Sequence, residues 1–220
     1  MNYAALVASI SSYTENTFPT VDMNVFITQA EKRIYNAVQI PALRKNVTGI
    51  TTASNKYLAC PDDFLSSYSL AAIDPTTGAY TYLLNKDVNF IREAYPKPTT
   101  TGSPKFYALF GPAVASSVIT TELTFLIGPT PNAAYSMELH YYYYPESIVT
   151  ASTTWLGDNY DPVLLYGTLV EAYTYMKGEA DMIGLYDGKY KEAMGQLKRL
   201  GDGLERQDAY RSGQARVPVT

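Results

Sequence analysis

The stretch from Asp161 to about Arg211 constrains the fold most, because it reads as two long helices that must bury a face against each other. Asp161 can cap free amides and Pro162 sits where no amide bond is lost, so the first helix is predicted to start there. Leu165, Leu169, Tyr173 and Met176 recur at intervals of three or four and share one face. After a break at Gly178, a second stripe follows: Met182, Tyr186, Tyr190, Ala193, Met194, Leu197 and Leu200. Two such stripes joined by a short link pair most simply as an antiparallel hairpin.

The front of the chain supplies two further helices. Tyr3, Leu6, Val7 and Ile10 predict a short one. Val25, Phe26, Ile27, Ala30, Ile34, Ala37 and Val38 predict a longer one opposite Gln29, Glu31, Lys32 and Arg33, capped by Thr20 or Asp22 and ended by Pro41. Residues 1–45 and 160–212 are thus expected to form a four-helix bundle built from both chain ends, with 213–220 as a C-terminal tail.

Between these ends the apolar period falls from 3.6 towards 2, and residues 46–159 read as an inserted, antiparallel β-rich domain, which makes the fold class α+β. Asn46 to Leu58 predicts one strand or a hairpin. Asp74-Pro75-Thr76-Thr77-Gly78 predicts a hairpin loop between Ser69–Ile73 and Ala79–Leu84. Asp87 to Tyr95 predicts a short helix, Pro96 to Pro104 an exposed loop, and Lys105 to Phe110 a strand. Leu123, Phe125 and Ile127 predict a strand that turns at Gly128–Asn132 into Tyr135–Tyr144 as a second hairpin. In that last strand Leu139, Tyr141 and Tyr143 face one way, and Glu138, His140, Tyr142 and Tyr144 the other. Ser147 to Asn159, with Trp155, reads as a connecting loop.

An apolar fraction of 46% and a charged fraction of 17% belong to an ordered globular chain. No apolar run is long enough to span a bilayer, and the first residues lack a secretory pattern, so synthesis in the cytoplasm and no membrane partner are expected. One cysteine, Cys60, excludes an internal disulfide framework and zinc sites needing paired thiolates. A net charge of −4 with scattered basic residues argues against a nucleic-acid reader. Tyrosine is over-used, 21 residues against one Trp and seven Phe. Such a set either fills a β-sheet or faces a partner, since the ring gives apolar area and the hydroxyl tolerates water.

The chemistry-bearing residues form no catalytic pattern. His140, the only histidine, lies mid-strand, and nothing in the spacing sets Cys60 or a serine beside it. No GxSxG, P-loop, HExxH or dinucleotide fingerprint is present. Asp62 and Asp63 follow a proline and suit a helical turn. Glu171, Glu179 and Asp181 gather near the junction of the long helices, where acids are expected at a helix start. The expectation is therefore no catalytic residue, no metal site, no cofactor and no enzymatic activity.

The segments Gln29–Tyr35, Pro41–Arg44, Tyr57–Phe64 and Tyr82–Asp87 resemble, in order and wording, the head-to-tail adaptor (connector or neck) proteins of tailed bacteriophages, of the tail tubular protein A-like kind. So do Phe90–Pro96, Pro104–Leu109, Gly128–Pro131 and Leu164–Ala172, and the similarity spans roughly residues 3 to 212. The resemblance implies a structural virion protein at the neck. It implies a homo-oligomeric ring, commonly a dodecamer, between the portal protein and the tail nozzle and other tail proteins. Double-stranded DNA is then expected to pass through without specific binding. Beyond Leu204 the chain is polar, and Gln207, Tyr210, Arg211, Arg216, Val217 and Val219 are the candidates for portal binding. Two other readings remain at this stage. Exposed Tyr and Trp155 with Asp62, Asp63 and Glu171 would suit a particle-associated carbohydrate-binding or glycan-cleaving protein. A tail-completion or tail-tube protein would stack on itself.

Overall fold

The computed structural model describes residues 1–97, 99–115, 118–121 and 123–205. Helices α1 (Tyr3–Thr14) and α2 (Thr20–Ala37) come first, followed by a 3-10 turn at Pro41–Leu43. Strands β1 (Arg44–Ile50), β2 (Tyr57–Ala59), β3 (Phe64–Ile73), β4 (Tyr80–Tyr82) and β5 (Leu84–Asn85) precede helix α3 (Val88–Ala94). Strands β6 (Thr101–Gly102), β7 (Phe106–Phe110), β8 (Ala113–Ala115), β9 (Val118–Thr121), β10 (Thr124–Gly128), β11 (Thr130–Pro131) and β12 (Ser136–Tyr143) come next. The chain then runs through α4 (Ile148–Ala151), α5 (Trp155–Asn159), α6 (Asp161–Tyr175) and α7 (Ala180–Glu205). The fold is mixed α+β and divides into two units: a helical one, Met1–Leu43 with the chain from Pro145 onward, and a β unit, Arg44–Tyr144.

In the helical unit α1, α2, α5 and α7 all pack on α6. Val163, Leu164, Leu165, Thr168, Leu169 and Ala172 are buried, so α6 is covered on most of its circumference rather than along the single stripe expected. Thr168 is tolerated there because its hydroxyl donates to the Leu164 carbonyl at 2.8 Å. Gly167 lets the neighbours close in: a β-carbon there would lie 3.1 Å from the Tyr190 ring and 3.4 Å from Ala30. Asp161 belongs to the first turn of α6 and makes no capping bond, so its contribution is through the helix dipole, and Pro162 occupies the start as expected.

On α7 the buried stripe is Tyr186, Tyr190, Ala193, Met194 and Leu197, continued by Gly201 and not by Leu200, which is 40% exposed. The helical period explains this correction, since the fourth residue after Leu197 lands on the covered face and the third lies to its side. Tyrosines also work here: Tyr186 stacks on Tyr173 at 5.0 Å and meets Tyr13 edge-on at 6.3 Å, tying α7 to α6 and α1.

Helix α2 is entered from Pro19 with no side-chain cap, so neither Thr20 nor Asp22 caps it, although Asp22 lies in its first turn. It ends at Ala37, ahead of Pro41. Val25 is 44% exposed, while Glu31, expected on the polar face, is 3% exposed. The reason is tertiary: residues 147–159 are not a bare loop but carry α4 and α5, each with its own side-chain cap, Ser147 and Thr154.

The β unit has two four-stranded sheets, ordered β1-β12-β3-β4 and β2-β10-β7-β5. The first is antiparallel throughout, and in the second β5 joins β7 in parallel. Phe64, Leu70, Phe125, Ile127, Met137 and Leu139 fill the space between them. Phe125, fully buried, meets Phe64 and Tyr107 edge-on, each at 5.5 Å. On the other side of β10, Leu126 packs with Ile91 of α3 and Ala108 of β7, so β10 is covered on both faces.

The β3–β4 hairpin forms as expected, with Gly78 at φ +70° and the Asp74 carboxylate accepting the amides of Thr76 and Thr77 at 2.8 Å. The Asn46–Leu58 stretch forms neither one strand nor a hairpin, since β1 and β2 lie in different sheets, and the expected hairpin of β10 with β12 does not form because these too lie in different sheets. The Gly128–Asn132 segment instead carries β11, which pairs in parallel with β6 inside the loop expected at Pro96–Pro104.

Leu169 is fully buried at the centre of the helical unit. Leu169→Ala is expected to cost about 2–5 kcal/mol, in the range for cavity-forming core truncations. Urea unfolding followed by circular dichroism checks this; a loss under about 0.5 kcal/mol, the ordinary surface value, contradicts the packing described.

Candidate functional site

The sequence-selected residues separate into fold-holding groups and surface. The Cys60 thiol is buried in the β core, and burial pushes it up to about 12, so it stays protonated and inert. His140 lies beside Glu138, Nε2 to Oε1 at 2.6 Å, on the opposite face of β12 from the core residues Leu139 and Tyr141. That contact, aided by Tyr80 and Asn46, holds the Glu138 carboxyl below its ordinary range.

Asp62 is exposed, whereas Asp63 is engaged: the Lys45 ammonium and the Tyr141 hydroxyl both donate to it at 2.7 Å. Burial works against the Asp63 charge, but these two bonds outweigh it and hold the carboxyl below its usual value. Glu171 ion-pairs with Arg33 of α2, and Asp181 sits in the first turn of α7, where its charge complements the helix dipole. Asp62 and Asp63 belong to the β unit, and Glu171 and Trp155 to the helical unit. Among the described residues no group of three or more His, Cys, Asp or Glu is arranged to hold a metal.

The tyrosines of the β unit make the conspicuous surface. Arg44 stands over the rings of Tyr68 at 4.0 Å and Tyr142 at 4.9 Å, and Lys45 stands over Tyr143 at 4.0 Å. Tyr142 is thereby buried on the face opposite Tyr141, so both faces of β12 are covered at that point. Farther along, Tyr57, Tyr80, Tyr82 and Leu84 are exposed, and the Tyr80 and Tyr82 rings stack at 6.4 Å. Tyr and Arg are residue types that protein contact surfaces favour.

Glu31 was not a sequence candidate. Its carboxylate accepts from the Ser147 hydroxyl at 2.5 Å and the Ile148 amide at 2.9 Å, joining α2 to the start of α4. Burial pushes its carboxyl above the ordinary value, against those two bonds. Glu31 sits in the Gln29–Tyr35 segment that carries the family resemblance, and that is the signal that could have marked it. The portal-binding candidates Gln207, Tyr210, Arg211, Arg216, Val217 and Val219 lie outside the described residues.

The chain is thus a mixed α+β protein with a helical unit from both ends and a tyrosine-rich β unit. The SU10 adaptor protein family matches it over residues 1–218, and the chain belongs to that family of bacteriophage head-to-tail adaptors. No curated protein matches the chain. Among the described residues no helix is long and apolar enough to cross a membrane.

Two expectations follow for the acids Asp63 and Glu31. Because the Asp63 carboxyl is lowered in the folded state, its contribution is present above 3.8, the ordinary value, and is lost as pH falls through the folded value. Asp63→Asn should therefore melt lower than wild type at neutral pH, with the difference vanishing in strong acid; a pH-independent difference contradicts the assignment. Glu31 has the opposite sign: its raised value makes it stabilising below 4.5 and progressively less so as pH rises through the folded value. Glu31→Gln keeps acceptor capacity without charge and should flatten that dependence, whereas Glu31→Ala strands a buried amide at a cost of about 1–3 kcal/mol. Thermal melts across pH separate the two.

Proposed function

We propose that this chain is a structural adaptor of a phage particle, forming a ring beneath the portal that joins the capsid to the tail and lines part of the DNA passage, without catalysing a reaction. The observation that carries the reading is the family match across residues 1–218, which takes in both units. In this reading α1, α2, α6 and α7 act as one four-helix bundle, supported by the packing of the other three on α6. The bundle carries the β unit as an inserted body.

A subunit in a ring must offer two different faces, because head-to-tail contact closes only through unlike surfaces. The family relationship favours a dodecamer at the virion neck, with portal protein on one side and tail nozzle proteins on the other. A net charge of −4 suits a conduit, since a basic wall would hold DNA through counterion release.

The chain beyond Leu204 is the portal-docking element in this proposal, through Gln207, Tyr210, Arg211, Arg216, Val217 and Val219. It is rich in charge and poor in apolar area, the composition of segments that order on a partner. Truncation after Leu204 is expected to leave the melting temperature unchanged and to abolish capture by immobilised portal. Capture at the wild-type level removes the docking role. Failure of the full-length chain to bind portal at all removes the adaptor reading.

A further inference from the structure

Helix α7 is made of weaker material than the long helices around it. It holds five glycines in 26 residues, whereas α1 and α2 hold none and α6 holds one. Glycine inside a helix loses more backbone freedom on folding than alanine does, so each one weakens the helix. Two of these glycines have a packing reason. Gly167 of α6 admits the Tyr190 ring, and Gly201 of α7 fits against Ile40, where a β-carbon would run into that side chain. Gly184, Gly188, Gly195 and Gly203 have no such reason: all four are exposed, and a β-carbon at any of them would meet nothing within 4 Å. By the helical period they lie on the side of α7 away from Tyr186, Tyr190, Ala193, Met194 and Leu197.

The buried face of α7 and its attachment add to this weakness. The Tyr190 hydroxyl is buried and has no hydrogen-bond partner among the described residues. A donor in that state favours any arrangement that returns it to water. Lys177, in the Met176–Glu179 link between α6 and α7, takes a left-handed backbone at φ +54°, which a residue with a side chain adopts at a cost. Helix α6 is covered by α1, α2 and α5 as well, so α7 is one of four supports. An element held this way opens before the rest of its domain.

We propose that α7 detaches from α6 and unwinds as a unit, starting from the Met176–Glu179 link, while α1, α2, α5 and α6 stay folded. The four exposed glycines and the Tyr190 hydroxyl set how often it does so. For its purpose the inference rests on the portal reading above, because the docking segment beyond Leu204 follows directly on α7. While α7 is in place, its last turn is held at Ile40 through Gly201. Once detached, a helix this rich in glycine does not keep its own hydrogen bonds in water. Its 26 residues then change from a helix roughly 39 Å long to a lead of up to about 86 Å. The docking segment gains reach, and its capture by portal scales with the population of the open state.

Hydrogen exchange of the full-length protein, read by mass spectrometry, tests the opening. Residues 182–200 are expected to exchange together, with protection at least about tenfold lower than residues 163–172. One protection factor shared by α6 and α7 overturns the proposal. Gly184→Ala, Gly188→Ala, Gly195→Ala and Gly203→Ala combined should raise α7 protection about a hundredfold, at roughly three- to fivefold per site. Tyr190→Phe should raise it about fivefold or more by removing the unpaired hydroxyl. Unchanged protection in both variants overturns the assignment of these residues as the device. On immobilised portal the four-alanine variant should be captured at least about tenfold more slowly than wild type. Capture at the wild-type rate, with α7 more protected, overturns the link to docking and leaves the adaptor role in place. If the wild-type chain does not bind portal, the adaptor role falls and the exchange measurement still decides the opening.

Discussion

The structure depends on the burial of one helix, α6, whose Val163, Leu164, Thr168, Leu169 and Ala172 cover most of its circumference. A helix covered this widely cannot be satisfied by its hairpin partner alone. Helices α1 and α2, more than a hundred residues earlier in the chain, must return to it. The apolar area on α6 thus demands that the chain's two ends meet, and everything between Arg44 and Tyr144 becomes an excursion.

That excursion is closed at its base by its first and last strands. β1 and β12 pair antiparallel with Arg44 opposite Tyr142, so the chain enters and leaves the β unit side by side. Arg44 over Tyr68 and Tyr142, and Lys45 between Asp63 and Tyr143, secure this base with cation–ring and charge-assisted contacts. Adjacent entry and exit let a large body be inserted with little demand on its host. They also leave the far strands, β4 and β5, unpaired on their outer side among the described residues.

Several acids, two of them singled out by the sequence, hold this arrangement together. Asp63 anchors Lys45 and Tyr141, Glu171 anchors Arg33, and Glu31, which the sequence did not single out, receives the start of α4. Presented to solvent on the β unit are, among others, the large side chains of Tyr57, Tyr80, Tyr82 and Leu84. For a member of an adaptor family, that division suits a part whose work is contact.

The sequence by itself determined helices α1, α2, α3, α6 and α7, the change to a β region, the β3–β4 turn and, through ordered segments such as Gln29–Tyr35 and Tyr57–Phe64, the family. Each of these is a local matter of period, caps and turn residues, readable within about ten neighbours. Strand partners were another matter: β1 and β2, or β10 and β12, are adjacent in sequence yet belong to different sheets. A one-dimensional pattern of apolar residues records that a strand is buried and not which strand covers it. The burial of Glu31 and the displacement of Leu200 by Gly201 were likewise decided only by packing, because each depends on what a distant segment brings against it.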